Sequence, residues 1–103
     1  MITTITPSPA INEIYNHIYK CGGRFDQWYV GITNNPQQRL FSDHNVSRTD
    51  DSWIFRLVLT TSDARNIERY FLNLGCQGGG GGGTTDSRYV YAYFITQFTI
   101  EST

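Results

Sequence analysis

Trp28–His44 runs WYVGITNNPQQRLFSDH, and the fold turns on how these seventeen residues are read. Trp28-Tyr29-Val30-Gly31-Ile32-Thr33 is an apolar run rich in aromatic and β-branched side chains, the composition of a buried strand. Asn34-Asn35-Pro36 ends it, because Asn is a good N-cap and the fixed φ of proline suits a first helical turn. Beyond the break, Leu40, Phe41 and His44 fall at helical spacing, with Arg39 beside them. So tight a handover from strand to helix holds a tyrosine, a backbone turn and an arginine close together.

Upstream, Met1 to Pro7 reads as a frayed or edge-pairing tail. Ser8-Pro9 starts a short helix with Ile11, Ile14 and Tyr15 on one face. His17-Ile18-Tyr19-Lys20-Cys21 alternates in the manner of a strand, and Gly22 to Asp26 supplies a turn. An antiparallel hairpin over about His17 to Thr33 is therefore expected. Downstream, a helix covers about Pro36 to His44, and Asn45 to Ser52 is a polar loop. Trp53 to Thr60 is the strongest strand, apolar on both faces apart from Arg56, and belongs inside a sheet. Ser62 or Asp63 caps a helix whose Ile67, Tyr70, Phe71 and Leu74 recur at helical spacing, and Gly75 stops it. Glu68 stands at the border of that stripe.

Gly78 to Gly83 are six consecutive glycines. With no side chain to bury and maximal chain entropy, they make residues 77–87 a flexible loop. Their N–H groups could approach an anion, but no Lys-Ser/Thr follows as in a Walker motif. Arg88 to Ile95 is the last strand, with three tyrosines on one face and Val90, Ala92 and Phe94 on the other. Gln97 to Thr103 extends it or frays. The order is that of an α+β domain around a small mixed or antiparallel sheet of three to four strands flanked by helices, one domain over residues 1–103.

Composition narrows the function. Aromatics make up 15% of the chain, and the net charge is −1. A dedicated nucleic-acid binder carries a basic surplus; here any phosphate contact must come from a local cluster, and affinity is expected to be weak and salt-sensitive unless a partner supplies grip. Cys21 and Cys76 lack CxxC spacing or histidine neighbours and read as free thiols, with a single disulfide as the other pairing the count allows. Met1 to Thr4 lacks the basic start and long apolar run of a signal peptide, and no stretch could span a membrane. A soluble cytoplasmic protein is expected.

The residues resemble the GIY-YIG nuclease superfamily. His17-Ile18-Tyr19 stands at its first motif and Tyr29-Val30-Gly31 at its second. Arg39 takes the position of the helical arginine and His44 that of a frequent helix-end histidine. Ala64 to Glu68 resembles the later glutamate helix, which makes Glu68 the metal ligand. The likeness covers most of Ile18 to Leu74 and rests on order and spacing together. Small stand-alone members of the superfamily are similar in carrying a glycine-rich segment before a tyrosine-rich strand. Two departures stand out: His17 replaces the first glycine of the hallmark, and the late asparagine has no counterpart.

What the resemblance implies is a metal-dependent endonuclease hydrolysing phosphodiester bonds in DNA or RNA. Mg²⁺ (or Mn²⁺) would be anchored by Glu68 and keep several waters. Arg39 would clamp a non-bridging oxygen with its planar fork. Tyr19 and Tyr29 would position the attacking water and take or relay its proton, helped by a nearby cation, with His44 as a proton relay. Packing alone reads the same residues differently: the tyrosines as core-edge side chains, Arg39 and Glu68 as solvated or ion-paired, and His44 as a group meeting a helix dipole. The competing function is a non-cleaving module of the same fold that binds a nucleotide, nucleic acid or protein partner.

Overall fold

The computed structural model describes residues 4–5, 7–79 and 86–102. Its elements in chain order are β1 (Thr4–Ile5), α1 (Pro7–Lys20), a 3₁₀ turn (Phe25–Gln27), β2 (Trp28–Thr33), a π-helix (Gln38–Asp43), β3 (Trp53–Val58), α2 (Thr61–Asn73) and β4 (Tyr89–Phe94). They form a four-stranded sheet in the order β1-β3-β4-β2. β4 pairs antiparallel with both β2 and β3, and the short β1 adds a parallel edge. The α+β expectation holds, and β3 is interior, as its apolar run required. Among the described residues, no helix is long and apolar enough to cross a membrane.

One expected element is overturned. His17–Cys21 is not the first strand of a hairpin; it is the end of α1. Ala10, Ile14 and Ile18 sit four apart on one face, and all three are fully buried. That stripe carries the helix through the short alternation that mimicked a strand. Gly22 (φ +147°) and Gly23 (φ +79°) then end the helix, the Gly23 N–H bonding back to the Ile18 carbonyl at 2.9 Å. The partner for β2 comes from the far end of the chain: Tyr29 lies opposite Tyr93, and Gly31 opposite Tyr91.

Helix ends follow local chemistry. Asn35 Oδ1 accepts from the Gln38 N–H at 3.2 Å, so Asn35 caps and Pro36 follows, as expected. At α2 the cap is Thr60, whose hydroxyl accepts from the Asp63 N–H at 3.0 Å, rather than Ser62 or Asp63. Gly75 ends that helix at φ +113°. The free thiols Cys21 and Cys76 form no disulfide.

The two sheet faces are packed differently. α1 and α2 lay Ile14, Ile18, Ile67 and Phe71 on Trp28, Val30, Ile32, Val58 and Val90. On the opposite face Tyr29, Tyr91 and Tyr93 pack with Leu40 and Val46. Residues 97–102 neither extend β4 nor fray, Ile100 N–H donating to the His44 carbonyl at 2.8 Å and Thr99 being buried, while Thr103 lies outside the described residues. Gln77 is held too, since the Val30 N–H donates to its carbonyl and its own N–H to the Trp28 carbonyl, both at 2.8 Å. The expected flexible loop thus begins after an anchored start, and its residues 80–85 lie outside the described residues.

Candidate functional site

β2 aims Tyr29 at a cleft of about 430 Å³ lined also by Leu72, Cys76, Gln77, Gly78, Gly79 and Glu101. Gly78 must be a glycine: a Cβ there would lie 2.6 Å from the Val30 carbonyl oxygen. Gly79 hydrogen-bonds the Tyr29 hydroxyl through its backbone, lowering a phenol pKa that burial raises; Arg39 also lowers it, while Glu68 and Glu101 push it further up. The Tyr29 ring is stacked on Tyr93 at 5.3 Å and tilted against His44 at 4.7 Å.

Behind Tyr29 runs a buried polar chain. His44 is fully buried. Its Nδ1 lies 2.6 Å from the Ile100 carbonyl, which can only accept, so Nδ1 carries the hydrogen. Nε2 is then an acceptor, and the Tyr91 hydroxyl donates to it at 2.9 Å. The Tyr93 oxygen lies 3.1 Å from Nδ1 and gives its own hydrogen to Glu101 Oε2 at 2.9 Å. Burial drives the His44 pKa down and the neutral imidazole suits this pattern. The Tyr91 phenol is pushed up to about 12, chiefly by burial, with Arg39 opposing.

Arg39 comes from the π-helix, a rare local geometry that recurs at functional sites. Its turn is closed by the His44 N–H on the Arg39 carbonyl at 2.8 Å. The guanidinium is paired with Asp43 at 3.1 Å, hydrogen-bonds the Tyr91 hydroxyl, and keeps 27% of its side-chain exposure. Gly31 makes this possible: a Cβ there would come within 2.5 Å of the Tyr91 hydroxyl oxygen. The tight motif glycine is therefore a seat for a phenol from the neighbouring strand.

Glu68 is 4% exposed, not a solvated border residue. Among the described residues no hydrogen bond or ion pair reaches its carboxylate, whose oxygens are not among the fully buried polar atoms left without a partner. Burial raises its pKa, and Arg65 and Arg69 oppose that shift. Its charge is felt by both Tyr29 and Tyr91. No group of three or more His, Cys, Asp or Glu side chains that could hold a metal ion occurs among the described residues.

Tyr19 does not join them. It stands on the outer face of α1 at 72% exposure, and α1 covers the sheet face opposite to Tyr29. The structure brings Tyr29, Arg39 and His44 together on one face, leaves Glu68 on α2 with its charge bearing on Tyr29 and Tyr91, and puts Tyr91 and Tyr93 on the strand beside Tyr29, where Tyr19 was expected. The three tyrosines on one face of the last strand were the signal for this. Glu101 had none, since it lies in a tail with no periodicity. No family model matches the chain, and no curated protein or solved structure is significantly similar to it.

Proposed function

We propose that this chain is a metal-dependent phosphodiesterase of the GIY-YIG type, an endonuclease acting on DNA or RNA. One observation carries the reading: on one sheet face the Tyr29 ring lies 4.7 Å from His44 and the partly exposed Arg39 guanidinium bonds the neighbouring Tyr91 hydroxyl, with the Glu68 charge bearing on both phenols. Glu68 is 4% exposed and makes no ion pair among the described residues, so a bound cation would offset its charge. Glu68 would hold Mg²⁺ (or Mn²⁺), which when bound neutralises charge on the phosphoryl oxygens.

The chain's own residues divide the remaining work. Arg39 binds a non-bridging phosphate oxygen through its fork. Tyr29, at the cleft wall, orients the attacking water; taking that proton outright needs the phenolate, which burial opposes and Arg39 and the Gly79 N–H favour. Tyr91 and His44 are positioning residues, holding the guanidinium and the Tyr29 ring from beneath. Water attacks phosphorus and gives up a proton to solvent, the bond to the leaving oxygen breaks, and that oxygen takes a proton from solvent.

Cleavage of a labelled duplex and a labelled single strand in Mg²⁺ or Mn²⁺ tests this. Glu68→Ala is expected to abolish cleavage while the far-UV circular dichroism stays unchanged. The net charge of −1 and the missing asparagine favour the second reading, a non-cleaving module for a nucleotide, nucleic acid or protein. Binding without cleavage by the unaltered chain in both metals would establish that one.

A further inference from the structure

Cross-strand register arranges the site face in rows. Trp53 lies opposite Tyr93, which lies opposite Tyr29; Phe55 lies opposite Tyr91, which lies opposite Gly31. Toward β2 these rows are buried beneath Leu40, Val46 and the C-terminal segment. Toward β3 they are not. Phe41, Trp53, Phe55 and Tyr89 are only half-buried. The planes of Trp53 and Phe55 are within 10° of parallel at 6.0 Å, with Tyr89 edge-on to Phe55 at 5.9 Å and Phe41 edge-on to Trp53 at 5.0 Å. The Arg48 guanidinium lies 3.9 Å over the Phe41 ring. Arg48 is exposed and forms no ion pair among the described residues.

We propose that this ring row, with Arg48 over Phe41 at its edge, is a stacking platform for one unpaired nucleic-acid strand, beside the π-helix that carries Arg39. The inference rests on the phosphodiesterase reading and names its substrate class. Bases of a single strand offer open π faces to such rings, whereas those of a duplex are already stacked on one another. With a net charge of −1, and Asp50 and Asp51 close in sequence to Arg48, the chain lacks the surplus cations that grip a duplex backbone. Stacking needs no such surplus. Phe41, at the edge of the row, belongs to the same π-helix as Arg39, which keeps part of its side chain exposed.

The test uses the full chain in EDTA, where cleavage plays no part. Trp28 is fully buried and Trp53 half-exposed, so quenching of tryptophan emission reports Trp53. Probes are an oligothymidylate of about ten nucleotides, the same strand paired with oligoadenylate, and an abasic strand of equal length. The oligothymidylate is expected to quench and to bind about tenfold tighter than either control. Phe55→Leu, which keeps apolar volume without a π face, is expected to weaken it about tenfold; Tyr89→Leu serves if that variant does not fold. Equal binding of the abasic strand or the duplex, or unchanged affinity in the folded ring variants, overturns the platform. So does an absence of binding; a concentration-dependent emission change without oligonucleotide would then assign the face to a second copy, and none at all would leave it to a protein partner. A chain that binds single strands but cuts nothing keeps the platform and loses the phosphodiesterase, and one that cuts duplex without discrimination does the reverse.

Discussion

The two faces of this sheet are held by different physics. Under α1 and α2 the contacts are Ile14, Ile18, Ile67 and Phe71 on Val30, Val58 and Val90, all fully buried and apolar. That stabilisation scales with area removed from water and does not depend on direction. On the other face the groups are just as buried, but they are three tyrosines and a histidine, ordered by hydrogen bonds from Glu101 through to Tyr91. There Tyr91, Tyr93 and His44 each donate to a particular acceptor, and losing one leaves another stranded. A face built from area tolerates changes that conserve volume; a face built from donors and acceptors does not.

The contrast is sharpest at Phe71. Phe71→Ala empties the middle of the apolar face and should lower stability by about 3–5 kcal/mol in urea unfolding. A loss below ~1 kcal/mol would mean that the helix face is not the main source of stability. The next effect belongs to the polar face. His44→Gln misplaces the acceptor for Tyr91 and the donor to Ile100, and should cost about 1–3 kcal/mol. It also changes the pH dependence. Burial holds His44 below its ordinary 6.5, so the unfolded chain binds protons more readily and stability falls as pH drops through 6.5 toward the folded pKa. His17, lowered by burial and by Arg56, acts with the same sign, so His17→Gln is the background for the measurement. Against it, His44→Gln should flatten the acid limb of stability against pH; an unchanged limb would contradict the buried neutral imidazole.

Glu68 gives the smallest effect, and with opposite sign. Burial holds its carboxyl above the ordinary 4.5, so its contribution is complete below that pH and is lost as pH rises through the folded pKa. Glu68→Gln should therefore stabilise the metal-free chain at pH 7, by about 1 kcal/mol, seen as a raised Tm. An equal or lower Tm would show the carboxylate to be satisfied structurally, and the unpaired charge would no longer point to a cation.

Much of this was legible along the chain, and what was not has an identifiable cause. β2, β3, α2 and β4 each declare themselves over a dozen residues or fewer, through period, capping and breakers. Even the two-faced last strand is readable, because Tyr89, Tyr91 and Tyr93 alternate with Val90, Ala92 and Phe94. His17–Cys21 misleads because five residues satisfy a two-residue period and a helical one equally well. Ile14 and Ile18, four apart and buried on the same side, settle it only when read with what precedes them.

Local pattern therefore determined most element types and the α+β class, while the resemblance marked Tyr29, Arg39, His44 and Glu68 as the groups to watch. Which strand lies beside which is a matter of pairing across more than 30 residues, and across more than 50 for β2 with β4, and no local period carries it. Only the tertiary structure sent β4 into the place beside β2, replaced Tyr19 by Tyr91 and Tyr93, and clamped Ile100 and Glu101 onto His44. The physical reason is that periodicity reports which side of an element faces the core, while a site depends on which elements become neighbours.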